Sequence, residues 1–160
     1  MIHGQYGQPY TFYTTTEEKR IEKEVPSSQI RFLYKFTNSM DRNIVYAYGQ
    51  NQLVNNRYTR VSMTPNTTEN VFTGAINFFP NGYWEYEIYE VIWEGSSVVL
   101  ATGTAPITET DVLTPLSPSK GVVKGKVEVG KLYITEPTGG EEVQYEEYIR
   151  TEQENYIYVS

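Results

Sequence analysis

The chain has 160 residues, 21% of them charged and 39% hydrophobic, with a net charge of -7. That is enough for one folded core, while no apolar run approaches the roughly 20 residues a membrane helix requires, and the acidic balance offers phosphates no basic face. The lack of any cysteine removes disulfides, thiol nucleophiles and thiolate metal sites.

The N-terminal "MIHGQYGQP" is polar and glycine-rich and reads as a tail; it lacks the basic and apolar regions of a secretory signal. "YTFYTTT" follows, rich in β-formers, so residues 1–16 are expected to be an arm ending in a possible first strand. Residues 17–160 are expected to form one domain. "EEKRIEKEV" carries Ile21 and Val25 four apart, but its charge density favours a solvated loop, which Pro26 closes.

Regular alternation begins at "QIRFLYKFT", where Ile30, Phe32, Tyr34 and Phe36 share one face of a strand. "NIVYAYG" has apolar residues in both phases, which predicts a strand covered on both faces. "QNQLVNN" reads as a turn and "RYTRVSMT" as a weaker strand. "NVFTGAINFF" runs into "PNGY", a tight-turn signal, so a hairpin is expected with the next segment as its second arm.

That arm, "YWEYEIYEVIWEG", holds both tryptophans. Trp84, Tyr86 and Ile88 are in one phase; Tyr89, Val91 and Trp93 are in the other. The change of phase predicts a β-bulge near Ile88 and Tyr89, with the glutamates pointing away from the rings on either side. "SVVLATG" is expected to return as a strand. Residues 104–121 are rich in proline, threonine and serine, and their scattered Ile107, Val112, Leu113 and Leu116 predict a long loop packed on a sheet. "VVKGKVEV", "KLYITE", "EEVQYEEYI" and "NYIYV" are further strands, with a turn at "TGG".

Nine or ten short strands, punctuated about every 8–12 residues and without a long helix, predict an all-β antiparallel β-sandwich, Ig-like in the broad sense, with a barrel as the alternative.

Catalytic chemistry has little to draw on. The single histidine, His3, lies in the expected tail, so neither a positioned triad base nor a multi-histidine metal site can be assembled within one chain. No phosphate-binding loop, dinucleotide fingerprint or calcium loop occurs, and no cofactor or metal is expected. Glu85 and Glu87 share a strand face about 7 Å apart, a spacing that overlaps that of inverting glycosidases, yet alternating glutamates on a strand also serve simply as solubilising charge. The chain is expected not to be an enzyme.

The aromatic residues admit three readings: the core of a sheet, a platform (Trp84 and Trp93) stacking sugar rings, or a buried protein–protein surface. In the arm, Ile2, Tyr6, Tyr10, Phe12 and Tyr13 are candidate anchors onto a neighbouring subunit's sheet, unless the terminus is simply disordered.

"FTNSMDRNIVYAYGQ", "NRYTRV", "GAINFFPNGYWEYEIYE", "EVGKLYITE" and "NYIYV" together resemble small all-β virion proteins of tailed bacteriophages, of the kind found as auxiliary or decorating capsid proteins in crAss-like phages. The resemblance spans about residues 30–160 and rests on turns and strand cores. It implies a non-enzymatic structural role on the phage head, with the major capsid protein and neighbouring virion proteins as partners and self-association as a further contact. It implies no nucleic acid, no membrane and no cofactor. A head–tail connector or tail adaptor and a glycan- or host-surface-binding module are the alternatives.

Overall fold

The computed structural model describes residues 1–95 and 97–136. The strands expected at 141–149 and 155–159, and the turn at 138–140, lie outside the described residues.

The described chain is all β, built as two packed sheets. Its strands are β1 (Ile2–Gln5), β2 (Tyr10–Thr14), β3 (Ile30–Asn38), β4 (Ile44–Tyr48), β5 (Gln50–Val54), β6 (Thr59–Pro65), β7 (Ala75–Ile76), β8 (Gly82–Ile92) and β9 (Val122–Thr135). One sheet has the order β1-β9-β8-β3-β4; the other is β2-β6-β5, with β7 also paired to β6. Pairing is antiparallel except for β1 with β9 and β6 with β7. No helix among the described residues is long and apolar enough to cross a membrane.

Alternation explains the main core. Ile30, Phe32, Tyr34 and Phe36 of β3 point inward beside Trp84, Tyr86 and Ile88 of β8 and meet Phe12, Val61 and Met63 from the second sheet. Phe78 sits at the centre, edge-on to Phe36 at 4.8 Å and to Trp84 at 5.3 Å. Such ring pairs add about 0.5–1.5 kcal/mol each beyond the area they bury.

The arm is not a separate tail. Its first strand pairs with β9 and its second with β6, so residues 2–14 contribute to both sheets. Tyr10 and Phe12 are buried in the core and cannot anchor a neighbouring subunit. Two further expectations are corrected. The segment 50–54 is a strand, its irregular register absorbed at Asn51, which adopts a positive φ of 50°. The hairpin expected at "PNGY" is instead a crossover, because β7 pairs with β6 in one sheet while β8 lies between β3 and β9 in the other.

The change of phase in β8 has a different cause from a bulge in that strand. Its pairing with β3 is unbroken from Trp84 to Ile92. The register shifts lie in β9, where the extra residues are Val127, opposite the Ile88–Tyr89 step, and Lys124, opposite the Glu90–Val91 step. Gly125, between them, takes a φ of 153°, which a side chain would resist. Along β8 the phase is constant, and what changes is the covering of the outer face. Tyr89, Val91 and Trp93 point outward into a second apolar cluster with Leu33, Tyr48 and Ala105.

The segment 97–121 supplies that cover, without the strand expected at 97–103. Its Val98, Leu100 and Ala105 pack on that cluster, and its backbone acceptors add hydrogen bonds. Trp93 Nε1 donates to Thr104 O at 3.2 Å, Gly121 N donates to the same oxygen at 2.7 Å, and the Tyr48 hydroxyl donates to Pro106 O. Val112 and Leu116, expected to pack inward, are exposed.

Candidate interaction face

The larger sheet therefore has an outer face in two halves. Segment 97–121 covers the half around Trp93 and Tyr48. No described residue covers the other, bare half, and the alternation of β8, β9, β3 and β1 fixes what it presents.

At one level across the strands lie Tyr83, Tyr133 and His3, which are register partners on adjacent strands. Tyr83 and Tyr133 are 4.7 Å apart at an interplanar angle of 50°, and His3 stands at 69° to Tyr133 with 6.1 Å between centroids. One step along lie Thr37, Glu85 and Lys131, again register partners. Val129 follows on β9 and is 61% exposed, while Tyr83 is 55% exposed. Ile44, register partner of Thr37 on the edge strand β4, is exposed at the same level. Apolar and aromatic surface thus surrounds one acidic and one basic side chain. Among the described residues no ion pair joins Glu85 to Lys131, and both side chains are exposed.

A polar network separates the halves. Lys35 Nζ lies 2.7 Å from Glu109 and 3.5 Å from Glu87. Glu87 also accepts from Lys126 Nζ at 2.7 Å and from the Tyr89 hydroxyl at 2.8 Å, while the Tyr46 hydroxyl donates to Glu109 at 2.6 Å. The Lys126 hydrogen bond, with help from Tyr89 and Lys35, holds Glu87 below the usual carboxylate range. Partial burial raises Glu109, but the bonds from Lys35 and Tyr46 outweigh it and leave the group lowered. Burial and the adjacent carboxylates push the Tyr46 and Tyr89 hydroxyls up.

This arrangement speaks to the glutamate pair considered from the sequence. An inverting hydrolase needs one carboxyl held protonated to donate to the leaving group. Glu87 is instead held ionised by two lysines, and Glu85 stands apart on the bare face. Through Glu109 the network ties segment 97–121 to Lys35 and Tyr46 of the sheet.

The sugar platform is corrected outright. Trp84 and Trp93 are 0% exposed, one in each apolar cluster, and a ring with no free face cannot stack on a ligand. On the bare half, Tyr83, Tyr133 and His3 are mutually inclined and do not share the plane that a sugar face would need.

Of the arm residues, Ile2 is partly buried against the main core. Tyr6 is also partly buried and donates its hydroxyl to Asn77 Oδ1 at 3.0 Å. Only Tyr13 is freely presented, on the outer face of the smaller sheet, edge-on to Tyr58 at 5.6 Å.

One buried charge escaped sequence reasoning. Glu90 points inward in the phase of Ile88 and Ile92, fully buried, contrary to the expectation that the glutamates of β8 point away from the apolar rings. Its carboxylate accepts from the backbone N–H groups of Ile21 at 2.6 Å and Glu22 at 3.4 Å. Nearby, Arg20 donates to Glu17, to Glu22 O and to Val25 O. The charged 17–25 loop is thereby folded on itself and pinned to the end of the sandwich.

The chain matches no protein-family model, no curated protein and no solved structure.

Proposed function

We propose that this chain is a non-enzymatic structural protein of a phage virion, an auxiliary capsid protein that decorates and stabilises the head, and that its sandwich is Ig-like in the broad sense. The observation that carries the reading is the half-face that no described residue covers: aromatic and aliphatic side chains gathered on a sheet, with Glu85 and Lys131 in no ion pair among the described residues. Buried aromatic anchors ringed by polar groups are what protein–protein contacts use, and low net charge at the contact lets an acidic chain bind despite its overall -7. Many equivalent positions on a shell multiply weak single contacts through effective concentration. The sequence resemblance to tailed-phage virion proteins supplies the setting, with the major capsid protein and neighbouring virion proteins as partners.

The test is quantitative mass spectrometry of purified particles from the native source. A copy number comparable to that of the shell protein supports the decorating role. A number limited to a single ring would move the chain to a connector or tail adaptor, and absence from particles would end the virion reading.

A further inference from the structure

We infer that a pocket between the N-terminal arm and the residues flanking β6 and β7 binds one uncharged sugar residue, with the Tyr10 hydroxyl at its base; the inference does not depend on the assembly reading.

The turn that carries the chain from β1 to β2 leaves a cavity of about 230 Å³ beside the end of β6. Tyr6, Gly7 and Tyr10 form one wall, and Asn66, Thr67 and Asn77 the other, with Pro65 and Ile76 as apolar lining. These parts are fixed by the fold. Tyr10 is 3% exposed, and its ring stands edge-on to Phe78 at 5.0 Å. Asn66 N donates to Ile76 O at 3.0 Å, which sets the second wall, and the Tyr6–Asn77 hydrogen bond joins the two walls.

The hydrogen-bonding inventory points to a ligand. The Tyr10 hydroxyl is buried and has no hydrogen-bond partner among the described residues; the Gly7 N–H approaches it without completing a bond. Folded proteins seldom leave such a group unsatisfied. Asn66 Oδ1 accepts from Thr68 N at 2.9 Å and Asn77 Oδ1 from Tyr6, while neither Nδ2 is bonded among the described residues. The pocket therefore offers donors and calls for oxygen acceptors. None of its side chains is charged, so a buried anion would lose its water without gaining a counter-charge. At roughly 30 Å³ per water in the liquid, the volume equals about eight waters, close to the size of one monosaccharide. Hydroxyl oxygens and the apolar face of a sugar ring match the two kinds of lining.

The test is titration of the full chain with the methyl glycosides of glucose, galactose and N-acetylglucosamine, read by amide NMR shifts. At least one should saturate with a dissociation constant of about 1 mM and shift the amides of Gly7, Asn66 and Asn77. Tyr10→Phe removes only the orphan hydroxyl, so the melting temperature stays or rises while binding weakens about threefold to tenfold. Asn66→Asp keeps the acceptor for Thr68 but loses the Nδ2 donor, and it weakens binding by about the same factor. Disaccharides of the same sugars decide the source. Equal affinity assigns the site to the end of a glycan and weaker binding to the free sugar, and either result supports the pocket. No saturable shift up to about 50 mM overturns the inference. So does an identical response to glycerol, or a folded Tyr10→Phe chain that binds as wild type.

Discussion

Lys35 of β3 and Glu109 of the covering segment meet at 2.7 Å on the outer face of the larger sheet, and this contact marks where the face stops being covered. On one side segment 97–121 forms a third layer; on the other no described residue does. The sheet buries Leu33, Tyr89 and Trp93 under segment 97–121, while Tyr83 and Val129 stay exposed, and this contrast underlies the proposal that the face is an assembly surface.

The contact is open to direct perturbation. Glu109→Ala removes the acceptor of both Lys35 and Tyr46 and is expected to loosen segment 97–121 at a cost of about 1–2 kcal/mol. In a Trp84→Phe background, Trp93 alone reports the change. Its emission should shift to the red and proteolytic cleavage within 97–121 should accelerate. Unchanged emission and cleavage would show that the backbone acceptors at Thr104 and Pro106 hold the segment unaided.

The same network sets a pH window. Glu87 and Glu109 have folded values lowered from 4.5, so their contribution is present above that value and is lost as pH falls through the lowered ones. Lys35, raised above 10.5 chiefly by its hydrogen bond to Glu109, contributes below that value and loses its contribution as pH rises through the raised one. Segment 97–121 should therefore stay in place across the neutral range, with Trp93 exposed only in stronger acid or base. Release between pH 5 and 8, where histidine titrates, would contradict this assignment.

Glu90 makes a sharper prediction. Glu90→Ala removes the acceptor for the amides of Ile21 and Glu22 and leaves a void among inward-facing side chains. The expected loss is about 2–3 kcal/mol in denaturant unfolding, with faster hydrogen exchange at those amides. A neutral result would mean that water replaces the carboxylate at no cost.

Gly121 closes the covering segment where a side chain has no room. A Cβ there would stand 2.7 Å from the Trp93 ring and 3.0 Å from Val91. Neither neighbour can yield without disturbing the second apolar cluster, so Gly121→Ala is expected to cost about 1–3 kcal/mol. Thermal unfolding checks it, and an unchanged midpoint would show that the segment shifts freely.

Much of the sandwich was legible because period-two alternation is a physical consequence of one-sided burial. β3, β6 and the first half of β8 announced themselves in this way, while β4 was read from apolar residues in both phases. The second half of β8 was misread because a strand covered on both faces loses its alternation, and a change of cover looks the same as a slip in phase. Asn51 and its neighbours were read as a turn because asparagine tolerates positive φ, which here serves a bulge inside β5. The arm was misjudged because its few large side chains, Tyr10 and Phe12, fill a core made mostly by other strands. The bare half-face could not be seen in the sequence at all. Its residues are ordinary outward positions of β1, β8 and β9, and only the pairing of β1 with β9 brings His3 beside Tyr133. Trp84 and Trp93 drew attention as the largest rings, and their size is the reason they are buried.

The most direct test of the central claim, that the bare half-face is an assembly surface, is incorporation of Tyr83→Glu into particles, measured against wild-type chain by quantitative mass spectrometry in a mixed production. The substitution is outward-facing and leaves both apolar clusters untouched. The account predicts that the variant folds normally and is strongly depleted from purified particles. Equal incorporation of variant and wild type would contradict it.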